Sequence, residues 1–236
     1  MNRYLIILLT TFALISVSAQ SSKKKKANEV KFGVQFKPVI PINYFGAGPQ
    51  TIIDTVAEVT VAPKLGYNLG MVVRTDFSNL LSFETGINYI RRNFNLDAYE
   101  AKRDTSDHTD FGFVSYQIPL QGLVYIRLSE QIYMNTSGGL GIDWYASHVQ
   151  SVGENALLQH LSLRRYWMHF SVLANIGFEW RTEKSGGFYL GASFVNPIKP
   201  ITDTRIDYYY GNTDKQRYEM NLKGTFITVD LRYFFK

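Results

Sequence analysis

The chain has 236 residues, 45% of them hydrophobic, 15% aromatic and 19% charged, with no cysteine and a formal net charge of +5. With 16 Tyr, 16 Phe and 3 Trp it carries enough apolar area to offset the entropy of ordering, which excludes a disordered chain. The missing cysteines exclude a disulfide framework, a thiolate zinc site and a cysteine nucleophile, and the small positive excess, much of it in one lysine run, does not fit a nucleic-acid partner.

In chain order, residues 1–19 read as a cleaved export signal: Arg3 as a positive head, an apolar run from Tyr4 to about Ile15, and the small-residue exit Ser16-Val17-Ser18-Ala19. An apolar run of about 12 residues rises only ~18 Å, too short to span a hydrocarbon layer of ~30 Å. Residues 20–29, with Lys23 to Lys26, form a basic leader, and residues 30–236 form one barrel domain.

From Val30 onward the dominant period is two, the period of a strand whose faces differ. In the last segment Thr225, Ile227, Val229, Leu231, Tyr233 and Phe235 oppose Gly224, Phe226, Thr228, Asp230, Arg232 and Phe234. Near Tyr166–Arg181 an unbroken apolar face from Met168 to Trp180 opposes His169, Ser171, Asn175, Glu179 and Arg181. Eight such segments are predicted, at about 30–45, 57–74, 80–94, 111–128, 131–147, 166–181, 187–199 and 221–235. They exceed the roughly 5–6 residues of an average globular strand and the roughly 9–11 that cross a bilayer at a tilt.

The connectors alternate in length. Thr75–Asn79, Ser129-Glu130 and Thr182–Gly186 are short, whereas 46–56, 95–110, 148–165 and 200–220 are long. That order is the one a transmembrane barrel has when tight turns face the periplasm and long loops face outside. The predicted fold is therefore all-β: an eight-stranded antiparallel up-and-down transmembrane β-barrel in the cell outer membrane, with outward aromatics such as Tyr89, Trp144, Tyr166, Trp180 and Tyr233 as interfacial girdles.

Eight strands leave room for little more than side chains. The inward parity puts Arg74, Glu84, Arg127, Glu179, Asp230 and Arg232 together near the turn end, an expected charge network that plugs the lumen, with Lys31, Lys37, Lys64 and Arg92 adding positive charge along the inner wall. His169 and Ser171 share the polar face of one strand, the pair that an enzyme acting on membrane lipid would require. Their expected lumenal orientation speaks against that use, and Asp107, His108 and Asp110 on one loop are too sparse for a metal site. No cofactor is expected. The richest recognition chemistry lies in the fourth long loop, where Arg205, Tyr208, Tyr209, Tyr210, Arg217 and Tyr218 make a candidate partner-binding surface. Ala156–Leu163 in the third is a candidate short amphipathic helix, and for both loops the competing reading is a β-extension above the membrane with solvent-facing tyrosines.

The opening Phe32-Gly33-Val34-Gln35-Phe36-Lys37-Pro38, the Tyr116-Gln117-Ile118-Pro119-Leu120 strand, the Ala19-Gln20 signal exit and the closing Val229-Asp230-Leu231-Arg232-Tyr233-Phe234-Phe235 resemble the porin-like outer-membrane β-barrel family of Gram-negative bacteria, PorT-like members included. The resemblance covers essentially all of the mature chain. It implies insertion by the barrel-assembly machinery, although Lys236 follows the aromatic Phe235 that such a terminus would present, and for some relatives it implies a part in protein secretion. The expected partners are outer-membrane lipid, lipopolysaccharide and an envelope protein. The expected role is a non-enzymatic surface scaffold or accessory subunit, with a lipid-modifying enzyme and a narrow passive porin as the competing readings.

Overall fold

The computed structural model describes residues 29–182, 184–211 and 214–236; the predicted signal and the leader up to Asn28 lie outside the described residues. Among the described residues thirteen strands make two sheets: β1 (Glu29–Pro41), β2 (Gln50–Ile53), β3 (Glu58–Asp76), β4 (Leu81–Glu100), β5 (Thr105–Arg127), β6 (Ile132–Tyr145), β7 (Val149–Val152), β8 (Leu158–Arg164), β9 (Met168–Thr182), β10 (Gly186–Pro197), β11 (Thr202–Tyr209), β12 (Lys215–Leu222) and β13 (Phe226–Phe234). The larger sheet runs β1-β13-β10-β9-β6-β5-β4-β3-β2, and β1 also pairs with β3. That pairing, from Glu29 opposite Asp76 to Val39 opposite Gly66, closes the sheet into a ring of antiparallel strands and leaves β2 outside it. Each alternating segment of the sequence falls on one ring strand.

The short connectors are tight turns fixed by local chemistry. Ser78 accepts the amides of Leu80 and Leu81 through its hydroxyl, and Ser129 does the same for Ile132. Gly186 takes φ 78°, a left-handed geometry that suits glycine, at the turn between β9 and β10.

Three of the four long connectors are largely strand, and the fourth, 46–56, holds only the short β2. Residues 95–110 continue β4 and β5 to a turn at 101–104, residues 148–165 contain β7 and β8, and residues 200–220 contain β11 and β12. The candidate helix at Ala156–Leu163 is a turn leading into β8: Leu158, His160 and Ser162 alternate inward against Gln159, Leu161 and Leu163, a period of two. Strands β12-β11-β8-β7 make a second, four-stranded sheet. It faces the upper parts of β2, β3, β4 and β5 across an apolar core that includes Val59, Leu96, Phe113, Leu158, Ile206 and Tyr208. Two seams join the sheets. At one, the Asp107 carboxylate accepts the amides of Asn155, Leu157 and Leu158 at 2.8–2.9 Å; at the other, Gln50 Nε2 donates to the Asn221 carbonyl at 2.9 Å.

The ring strands therefore pass through two environments with inverted polarity. Along β4 the inward residues are Ser82, Glu84, Asn88 and Arg92 below, then Phe94, Leu96 and Ala98 above. The outward residues reverse the order, from Phe83, Ile87 and Tyr89 to Arg91, Asn93, Asn95 and Asp97. On β5 the inward change falls between Ser115 and Phe113, and on β3 a register shift between Lys64 and Tyr67 marks the same level. Below it the wall is apolar outside, as hydrocarbon demands; above it the fold is an ordinary water-exposed β-sandwich. Tyr67, Tyr89 and Tyr116 line this boundary with neighbouring ring centroids 5.8–6.0 Å apart.

Phe113 is 1% exposed and packs on Phe94 and Phe111. Phe113→Ala is expected to cost about 3–5 kcal/mol, confined to the cap. Hydrogen exchange should show faster exchange in β7, β8, β11 and β12, with the ring strands below Tyr89 unchanged.

Candidate functional site

The lumen near the turn end holds a linked set of ion pairs. Arg74 bridges Glu84, at 2.9 Å from Nη2, and Glu179, at 2.5 Å from Nη1. Arg232 bridges Glu84 and Asp230, the latter at 2.6 Å. Lys37 Nζ lies 3.1 Å from Asp230 and Arg181 Nε 2.6 Å from Glu179. Neutral groups satisfy the remaining lone pairs: Tyr125 donates to Glu179 at 3.0 Å, and Asp230 accepts from Ser193, Asn175 and Thr228 at 2.5–3.0 Å. The Arg74 guanidinium also sits 3.9 Å from the centre of the Phe234 ring. The narrow bore makes glycine necessary at points on the wall: a Cβ at Gly177 or Gly191 would collide with the Tyr189 hydroxyl, which donates to Asn175 at 2.6 Å.

Five of the six residues expected in this network are in it. Arg127 is not: it is exposed at the end of β5, where its Nε donates to the Ser129 carbonyl at 3.0 Å. Inward parity holds on β5 as far as Tyr125, and Arg127 lies one step past the floor. Lys37, placed on the inner wall by its parity, belongs to the network, while Lys64 is 42% exposed and pairs with Asp110 at 3.0 Å on the outer face.

Above the ion pairs lie layers of amides and hydroxyls. Gln35 donates to Asn88, Asn88 to Gln117, and Gln117 to Asp143. A cavity among Gln35, Lys37, Asn88, Gln117 and Thr228 measures about 20 Å³, room for about one water. Arg92 closes the polar column, donating to Ser115 at 2.8 Å and the Gly224 carbonyl at 3.3 Å, with its guanidinium 4.8 Å from the Phe226 ring. The apolar core of the cap lies beyond it. At the opposite end a vestibule of about 750 Å³, lined by Lys31, Asp76, Tyr125, Arg127 and Arg181 among others, stops at the ion pairs.

His169 and Ser171 are both buried in this column. The Ser171 hydroxyl donates to Asp143 at 2.6 Å, and His169 Nε2 contacts the Tyr166 carbonyl at 3.1 Å. Each side chain is committed to a structural partner. Among the described residues no cluster of His, Asp and Glu is arranged to hold a metal ion.

The predicted partner-binding residues divide by parity on β11 and β12. Tyr208 and Tyr218 are buried at 0% and 3% exposure, a correction to their reading as surface contacts. Tyr208 donates to Glu100 at 3.1 Å and Tyr218 to the Ala57 carbonyl at 3.3 Å, while Tyr210 packs partly against the same core. The outer face keeps Arg205, Tyr209 and Arg217. Arg217 makes a fork onto Asp207 at 2.7 and 3.0 Å, Arg205 approaches Glu219 at 3.6 Å, and Tyr209 donates to Gln159 at 3.1 Å. Arg217 and Lys215 hold the Asp207 carboxyl down at about 2. A run of three tyrosines read as a loop gives no inside or outside; read as a strand it does.

Inside the cap, burial pushes His160 down to about 4. Its ring stacks on Phe111, centroids 3.9 Å apart, and Nε2 contacts the Ser162 hydroxyl at 2.7 Å.

Residues 18–203 match the family described as outer membrane protein beta-barrel domain, a broader group than the PorT-like members. The fold is similar to the crystal structure of the outer membrane protein OprG from Pseudomonas aeruginosa, with a TM-score of 0.53 at 11% identity over 90% of this chain and 99% of that one. Lower scores relate it to the outer membrane protein AlkL, at 0.36 and 12% identity over 93% and 96% of the two chains, and to the translocator domain of the autotransporter NalP from Neisseria meningitidis, at 0.38 and 10% over 99% and 96%. No curated protein matches the chain in sequence.

Glu84→Ala takes one of two carboxylate partners from each of the buried Arg74 and Arg232 guanidinium groups and is expected to destabilise the barrel by about 3–5 kcal/mol, whereas Arg127→Ala should change it by less than about 0.5 kcal/mol. Urea unfolding in detergent, followed by heat-modifiable gel mobility, reads the difference. For His160 the folded pKa lies below the unfolded one, so its contribution is fully present above about 6.5 and is lost as pH falls toward about 4. Cap hydrogen exchange should accelerate over that interval, with a loss on the order of 3 kcal/mol, and His160→Phe should flatten the dependence.

Proposed function

The chain belongs to the outer-membrane β-barrel domain family and resides in the outer membrane, and from that premise we propose that it is a non-conducting, non-enzymatic scaffold whose barrel anchors a rigid β-cap at the cell surface for an envelope protein partner. The observation that carries this reading is the filled bore. An ion-pair layer, an amide layer, Arg92 and an apolar cap core follow one another along the axis, and a path for ions would have to break each of them at several kcal/mol per desolvated charge.

The non-enzymatic part of the proposal is supported by where the nucleophile-type residues lie. Ser171 and His169 are enclosed and bonded to Asp143 and to a backbone carbonyl, out of reach of a lipid on the outer wall. The scaffold part is supported by the cap. Its strands are paired and its core is packed, so its outer face of Arg205, Asp207, Tyr209, Arg217 and Glu219 offers arginine and tyrosine chemistry in a preorganised geometry.

Reconstituted into planar bilayers, the full chain should give no unitary conductance steps, and steady ohmic steps would overturn the plugged-barrel reading. Purified from its native membrane in mild detergent, it should bring down one envelope protein in stoichiometric amount, lost on Arg205→Glu/Arg217→Glu substitution. A barrel recovered alone, with altered lipid A in a deletion strain, would transfer the assignment to a lipid-modifying enzyme.

A further inference from the structure

We propose that the corner of the loop-end rim between β9 and β10 binds the phosphates of the outer-leaflet glycolipid, with Arg165 and Lys199 as the phosphate ligands and Tyr166, Trp167 and Ile198 against its sugar and acyl boundary. The proposal rests on the outer-membrane placement and on the cap facing outside, and it is independent of whether the cap holds a protein.

Height on the barrel is the first argument. Tyr116 pairs with Trp144 and Trp144 with Met168, so the aromatic level that marks the polarity inversion on β3, β4 and β5 continues to the start of β9. Arg165 and Lys199 emerge at that level. The Arg165 amide donates to the Ile201 carbonyl at 3.3 Å, which holds the two segments side by side. The wall below is fully apolar, with Phe170, Val172 and Ile176 each more than 40% exposed. This is the depth at which a phosphorylated glycolipid carries its charge.

Partner accounting is the second argument. Of the other rim cations, Lys64 pairs with Asp110 at 3.0 Å, Arg91 with Asn93 at 3.0 Å, and Arg164 with the carbonyls of Tyr145 and Ala146 at 3.0 Å, while Lys223, next to Gly224, makes no ion pair among the described residues. At this corner Arg165 has one loose contact, 3.7 Å to Asp203. Lys199 lies 5.3 Å from the centre of the Tyr166 ring, and among the described residues it makes no ion pair. Tyr166 is itself braced by His169, centroids 5.7 Å apart. The ammonium is thus held in place by an aromatic face while its charge stays available.

Apolar exposure is the third argument. Trp167 is 62% exposed, Ile198 56% and Tyr166 49%, a cluster directly beside two cations. Such a cluster suits an amphiphile with an anionic head far better than it suits water.

The test uses the full chain in detergent with EDTA present, so that divalent ions do not bridge, and native mass spectrometry to count bound lipid. Bisphosphorylated lipid A should be retained by the wild-type chain and lost on the order of tenfold more readily from Arg165→Gln/Lys199→Gln. Arg165→Lys/Lys199→Arg should restore retention, and Arg127→Gln at the opposite rim should leave it unchanged. Both target side chains are exposed, and an unchanged heat-modifiable gel shift verifies folding of each variant. Equal retention by the double Gln variant overturns the site. Equal retention of lipid A stripped of its phosphates overturns the phosphate role, and phosphatidylglycerol held as tightly at the same residues overturns the choice of glycolipid. None of these outcomes alters the conductance or partner-capture results, so this site and the scaffold reading can fail separately.

Discussion

A sheet that crosses hydrocarbon has no solvent to satisfy its backbone, so each N–H and C=O must find a partner in the next strand and no edge can remain. The junction of β1 with β13 on one side and β3 on the other meets that requirement, and much else in the structure follows from it. Closure with so few strands gives a bore only wide enough for side chains. Charges facing it cannot reach water and must pair with each other. The chain Arg181–Glu179–Arg74–Glu84–Arg232–Asp230–Lys37 is the result. Four cations share three carboxylates there, and hydrogen bonds from Tyr125, Ser193, Asn175 and Thr228 complete the set.

The same strands then leave the membrane without interruption. What changes is which parity is apolar. As far as Arg92 the inward even residues of β4 are mostly polar; from Phe94 to Ala98 the even residues are still inward but apolar. No change of pairing is needed between β4 and β5 above Asn88, whereas the β3–β4 ladder shifts register by one residue between Lys64 and Tyr67. The upper sheet of β7, β8, β11 and β12 supplies the second layer that a one-sided apolar surface requires, and the Asp107 and Gln50 seams fix its position.

These two halves divide the protein's work. On the proposed scaffold reading, the barrel is the anchor, its interior filled by ion pairs and amides, and the cap is the polar surface held above the membrane. At the boundary between them stand the exposed aromatics Tyr166 and Trp167 beside the loosely engaged cations Arg165 and Lys199. In the proposed reading, chemistry with a partner belongs to the cap face and the interfacial rim, while the imidazole and hydroxyl of His169 and Ser171 are buried in the lumen against the Tyr166 carbonyl and Asp143.

Alternation along the chain was enough to specify strands, their facing and the membrane wall, because a period of two is a local property that any strand with unlike sides must carry. The short turns and most of the lumenal charges followed from the same parity, Glu84, Glu179 and Asp230 among them. Two matters were decided only in three dimensions. Arg127 has the right parity for the lumen but stands beyond its floor, since parity gives the side of the wall and not the depth. Residues 95–110, 148–165 and 200–220 read as connectors because they lie between the eight segments of regular alternation, with a β-extension as the competing reading for the last two. Their burial depends on a second sheet contributed by distant parts of the chain, with Tyr208 reaching Glu100 and Tyr218 reaching Ala57. A tyrosine takes an inward or outward place equally well, having an apolar body and a polar tip, so its fate is set by the neighbour it meets, and that neighbour is a fact of tertiary structure.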